Sequence, residues 1–110
     1  MGNTQKQKPF AELKEHATKA ARMLKTLSSE SRLMILCALE AREYSVTELH
    51  QQIGLSQSAL SQHLATLRRE GMVKTRRESQ VIFYSLAQSN TTRIIEVLSD
   101  LYCSTDMKTT

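Results

Sequence analysis

The feature that most constrains this chain is a three-residue break, Gly54-Leu55-Ser56, between two segments of helical periodicity. Upstream, Ser45-Val46-Thr47-Glu48 has the Ser-to-Glu spacing of a capping box, in which each side chain satisfies the other residue's backbone N–H. Leu49 and Ile53 follow on one face. Downstream, Leu60, Leu64 and Leu67 stand at i, i+4 and i+7, and Gly71 is placed to end the run. Gly54 can take the left-handed conformation that closes the first helix, and the Ser56 hydroxyl can accept from the first N–H groups of the second. Two short helices must therefore meet at a tight turn, with the leucine face of the second buried and its opposite face left for other work.

The flanking segments complete a mainly α chain. Phe10, Leu13, Ala17, Ala20, Leu24 and Leu27 recur at three- and four-residue steps, which predicts a first amphipathic helix. Ser28 or Ser29 can cap a second helix that carries Leu33, Leu36 and Cys37 on one stripe and ends near Ala41. After Gly71 the residues become β-type, Met72 to Arg77 and Val81 to Leu86, with Glu78-Ser79-Gln80 between them; this predicts a two-stranded hairpin. Ser89 or Asn90 then opens a last helix. Its Ile94, Ile95, Leu98, Leu101 and Tyr102 cover two adjacent faces, more apolar surface than one small core uses, and the surplus is expected to be a dimer contact. The ordered domain is expected over 10–103, between polar tails at 1–9 and 104–110.

Charge and composition narrow the function classes. The net charge of +4 is concentrated in the middle of the chain: between residues 56 and 86 there are five basic and two acidic residues. A positive segment of this kind favours a polyanionic partner. The longest apolar run, Leu33 to Leu39, has seven residues and cannot span a membrane. The polar start, Met1 to Lys8, has no apolar signal core, so the chain is expected to stay in the cytoplasm. No nucleophile elbow, phosphate loop, metal box or paired carboxylates are present, and an enzyme is not expected.

The exposed face of the second turn-linked helix carries the informative chemistry. Ser58, Ser61, Gln62, Ala65 and Arg69 fall opposite the leucines, with Ser56 and Gln57 at the start and Arg68 beside Arg69 at the end. Gln pairs with adenine edges, Ser reads several bases and Arg holds phosphate, which suits a helix whose first turns enter a major groove. In the hairpin, Lys74, Arg76 and Arg77, with Gln80 at the tip, make a projecting cationic ribbon able to reach flanking backbone or a minor groove. A solvated helix face and a charge-protected edge strand would carry similar residues, but a hairpin directly after a helix-turn-helix favours a DNA-binding wing.

The order helix, helix, helix-turn-helix, hairpin, helix, with Leu55-Ser-Gln-Ser-Ala-Leu-Ser-Gln-His-Leu64 and Leu67-Arg-Arg-Glu-Gly-Met-Val73, resembles the ArsR/SmtB family of bacterial winged-helix repressors over about residues 10 to 103. The resemblance implies a homodimer paired through first and last helices, and two recognition helices one DNA turn apart on a palindromic operator. It puts Gln57, Ser58, Ser61 and Gln62 at base-reading positions. His63 also matches the motif, but its flank position beside the core favours a buried hydrogen-bonding role.

Many members of that family sense metals through Cys pairs on the third helix or Asp, His and Glu on the last. Here the third helix has no Cys, the last has Glu96 and Asp100 without His, and His16 and His50 are isolated; no metal or other cofactor is expected. Chemistry alone leaves Cys37 as either an inert small core residue or a reactive thiol. The contexts Leu36-Cys37 and Leu101-Tyr-Cys103 resemble the HlyU, BigR and SqrR subgroup, whose regulators respond to reactive sulfur or redox signals through a Cys in each of these helices. That resemblance implies Cys37 and Cys103 as sensing thiols and reactive sulfur species as inducer. Two readings stand beside it: a DNA-binding regulator with inert cysteines, and a winged helix used as a protein-interaction module.

Overall fold

The computed structural model describes residues 9–104, and the expected tails lie outside them apart from Pro9 and Ser104. Five helices and three short strands follow in the order α1 (Phe10–Leu27), α2 (Glu30–Ala41), β1 (Tyr44–Ser45), α3 (Val46–Ile53), α4 (Gln57–Arg69), β2 (Val73–Glu78), β3 (Val81–Leu86) and α5 (Asn90–Ser99). A π-helical turn, Asp100–Ser104, continues α5.

Local chemistry sets most of these boundaries. Ser29 caps α2 by accepting from Arg32 N–H, and the Arg32 guanidinium reaches back 2.8 Å to the Thr26 carbonyl, one of the carbonyls left over at the end of α1. The Ser45–Glu48 capping box is formed in both directions, at 2.9 and 3.2 Å. Gly54 adopts φ 88° and Gly71 φ 75°, the left-handed backbone that other residues reach only at a cost, so each helix stops where its glycine stands. Ser56 caps α4 through Ala59 N–H, and Ser89 caps α5 through Thr91 N–H.

The expected hairpin forms one residue later than its sequence pattern suggests, starting at Val73, and it belongs to a three-stranded antiparallel sheet in the order β1-β3-β2. The third strand was not expected. Tyr44 pairs with Tyr84 and Ser45 with Phe83, so the two residues before α3 fasten the helix-turn-helix to the middle of strand β3.

The core collects Ile35, Leu36 and Leu39 of α2, Leu49 of α3, Leu60, Leu64 and Leu67 of α4, Met72, Val73 and Ile95, with Leu27 closing it from α1. Cys37 and Leu33 pack at its margin rather than in its centre. The apolar stripe of α1 has a different fate: Leu27 is buried, but Phe10 is 87% exposed and Leu24 61%. Leu101 and Tyr102, beyond α5, are exposed as well, so both the first helix and the turn after the last present apolar side chains to solvent.

Candidate nucleic-acid interface

Leu60, Leu64 and Leu67 are fully buried and fix the rotation of α4. Gln57, Ser58, Ser61, Gln62, Ala65, Arg68 and Arg69 consequently face solvent along one side. No described partner engages the side chains of Gln57, Ser58, Ser61, Gln62 or Arg68, so their donors and acceptors are available to a ligand. Ser56 is exposed too, but its oxygen already accepts from Ala59 N–H at 3.1 Å, which makes it first a cap. Arg69 touches Thr66 Oγ1 weakly, at 3.4 Å.

His63 does not take the expected buried role. It is half-buried and makes no side-chain hydrogen bond among the described residues. His50 is the histidine that bonds locally. Its Nδ1 lies 2.7 Å from the Leu55 carbonyl, and since a carbonyl can only accept, Nδ1 carries the proton. This bond spans the turn and holds α4 against α3.

The hairpin separates the cations that sequence groups together. Side chains alternate across a strand, so Lys74 and Arg76 project from one face of β2 and Arg77 from the other. Lys74 and Arg77 are exposed, with no ion pair among the described residues. Arg76 is held by Glu43 and Glu78, and these two bonds raise its pKa above the ordinary guanidinium value. The tip is Ser79-Gln80, exposed, with Ser79 at φ 58°. The sequence signal for the Arg76 partners was slight, since Glu43 lies 33 residues away.

Cys37 sits on the α2 surface that meets α5. The Ser99 hydroxyl is 4.0 Å from its Sγ and donates to Glu40 Oε1 at 2.6 Å, so a polar cluster bridges the two helices beside the thiol. The backbone of Cys103 falls in the π-helical turn, four residues past Ser99. Among the described residues no group of three or more His, Cys, Asp or Glu gathers as a metal site, and no helix is long and apolar enough to cross a membrane.

Comparison with known proteins gives concordant matches. Residues 29–75 fit the family model described as "Bacterial regulatory protein, arsR family". The transcriptional activator HlyU of Vibrio cholerae is 50% identical over 92 residues, 84% of this chain and 85% of that protein. Among solved structures, reduced HlyU from Vibrio cholerae superposes with a TM-score of 0.81 at 49% identity, covering 84% of this chain and 98% of that one. The transcriptional repressor BigR from Xylella fastidiosa superposes with a TM-score of 0.81 at 40% identity, covering 88% and 96%.

Proposed function

The chain belongs to the arsR family of bacterial regulatory proteins and is a winged-helix transcriptional regulator, and from that premise we propose that it grips a palindromic operator as a homodimer whose affinity is set by Cys37 and Cys103. The single observation that carries the DNA reading is the exposed row Gln57, Ser58, Ser61 and Gln62 on a helix whose other side is locked by three buried leucines. Side chains on so rigid a mount enter a major groove in one register. Arg68, Arg69, Lys74 and Arg77 flank the row as phosphate contacts, with Gln80 at the wing tip.

The exposed apolar residues of α1 and of the turn after α5 support the homodimer, since an unpartnered helix of 18 residues with two buried positions has little reason to stay ordered in water alone. Two such chains related by a twofold axis would set their recognition helices on adjacent half-sites. One relative is called an activator and another a repressor. The same operator grip serves either outcome, depending on where the operator lies relative to the polymerase.

The switch rests on Cys37 facing α5 and on a second thiol in the turn that extends it. That a relative's structure is specified as reduced agrees with a redox-dependent state. An organic trisulfide, the oxidised partner of a persulfide, supplies the chemistry. The Cys37 thiolate attacks its central sulfur, one S–S bond forms, another breaks, and one thiolate leaves. The Cys103 thiolate then attacks the transferred sulfur and releases the second thiolate. The two protein sulfurs are oxidised, the donor is reduced, and three sulfurs join α2 to the turn beyond α5. Such a bridge reaches further than a disulfide, which needs Cα atoms within about 7 Å. By repacking these helices it would move the recognition helices off their one-turn spacing and lower operator affinity.

Peptide mass spectra of the reduced protein after trisulfide treatment, with peroxide in parallel, test this reading. A Cys37–Cys103 link carrying an extra sulfur, together with release from DNA, is expected. Cys37→Ser should stay bound under the same treatment; release of that variant at wild-type donor concentrations, or two unmodified thiols in the wild type, would return Cys37 to a packing role.

A further inference from the structure

A polar assembly outside the base-reading row ties the wing to the body across the full width of the sheet. Arg76 on β2 stands opposite Phe83 on β3, and Phe83 stands opposite Ser45 on β1. Glu43, two residues before Ser45, shares that face. The Arg76 side chain crosses the central strand with its guanidinium carbon 4.7 Å from the Phe83 ring centroid, then closes on Glu43. Nε donates to both carboxylate oxygens, at 2.9 and 3.0 Å, and Nη2 adds a shorter bond to Oε1. Nη1 donates to Glu78 Oε1 at 3.1 Å.

We propose that Arg76 is a wing-positioning residue and not a phosphate contact. Three of its nitrogens are engaged by protein carboxylates, which leaves its donors largely committed before a phosphate could approach. Lys74 and Arg77 lack such partners among the described residues and keep their charge for DNA. Glu43 follows α2 by two residues, so the clamp sets the pitch of the hairpin against the body that carries α4. The role rests on the DNA reading above, and its consequence is a reversal of sign: removing the negative charge of Glu43 should weaken binding to a polyanion.

The probe is a duplex selected by the wild-type chain from a randomised pool, titrated by fluorescence anisotropy at several KCl concentrations. Each phosphate contact contributes about 0.9 to the slope of log K against log salt. Lys74→Gln and Arg77→Gln should each reduce the slope by about 1.8, because the homodimer loses one contact in each half-site. Arg76→Gln should leave the slope at the wild-type value while weakening binding about threefold to fivefold, the scale of an exposed ion pair. Glu43→Gln should weaken binding by a similar factor, and the double variant should be no weaker than either single. A slope loss of about 1.8 in Arg76→Gln, or tighter binding by Glu43→Gln, would overturn the proposal. Amide hydrogen exchange of the DNA-free protein separates the two layers of inference. Both single variants should speed exchange at β2 and β3, and unchanged exchange there removes the clamp whatever the DNA result. Accelerated exchange in a protein that binds no duplex at low salt would instead overturn the DNA reading, and the positioning role with it.

Discussion

Arg22 and Glu70 meet through two parallel hydrogen bonds of 3.0 Å, Nε to Oε1 and Nη2 to Oε2, although they are 48 residues apart. Arg22 lies on α1 and Glu70 is the residue at which α4 ends. The helix whose apolar side is left exposed is thus fastened by a fork-to-fork pair to the far end of the helix that carries the base-reading row. A displacement of α1 by a partner chain would reach α4 through this pair.

Acid should loosen both ion-pair fastenings together. The hydrogen bonds from Arg22 hold the Glu70 carboxyl below the ordinary 4.5, and those from Arg76 do the same for Glu43. Because both pKa values are depressed in the folded state, their contribution to stability is complete above the unfolded value and disappears as pH falls through the lowered folded values. Urea unfolding at a series of pH values should show little change from these groups above about pH 5 and a progressive loss below it. In the Glu43→Gln, Glu70→Gln double variant that acid limb should flatten; an acid limb as steep as the wild type's would assign it to other carboxylates.

The turn between α3 and α4 depends on a side chain that neither helix needs for its own periodicity. His50 Nδ1–H gives the Leu55 carbonyl a partner within the turn, at 2.7 Å. His50→Ala removes that partner, and the expected loss is about 0.5–1.5 kcal/mol, the usual worth of one such bond. Chemical denaturation measures it. An unchanged midpoint would mean that water replaces the imidazole at no cost.

How much of this was legible in the sequence depends on whether the signal was local. Ser45, Glu48, Gly54, Ser56 and Gly71 act on backbone groups within a turn of themselves, so the helix limits and the helix-turn-helix could be read directly. The strand Tyr44–Ser45 could not, because two residues carry no period and Ser45 already had a reason to be there as a cap. The stripe on α1 was legible as amphipathic, but Leu24 on such a stripe looks the same whether it faces its own core or solvent. Lys74, Arg76 and Arg77 read as one cationic group, and strand alternation with the distant Glu43 divides them. Cys37 was placed on the stripe of Leu36, which is fully buried, yet Cys37, one helix position further round, lies at the core margin.

The hairpin turn contains a correctable strain. Ser79 holds φ 58°, a conformation in which a Cβ crowds the neighbouring carbonyl. Ser79→Gly removes the crowding, at the expense of a more flexible unfolded chain, so a net gain of up to about 1 kcal/mol is expected. Slower amide exchange across β2 and β3 would register it. Faster exchange would show that the Ser79 side chain contributes more to the turn than its backbone strain removes.

A charge placed on the exposed apolar side of α1 separates assembly from folding. Leu24 is 61% exposed and outside the core, so Leu24→Glu removes little burial from the single chain, and Glu is a good helix former. In a homodimer paired through α1, the same carboxylate would be buried twice near the twofold axis without a cation, which costs several kcal/mol. Sedimentation should therefore report the 12.5 kDa chain for the variant and twice that for the wild type, with equal helical circular dichroism. Operator affinity should fall steeply, since one recognition helix then holds a single half-site without the linked second contact. A variant that stays dimeric and folded would move the interface away from α1, to the exposed apolar residues Val97, Leu101 and Tyr102 of the last helix and its extension.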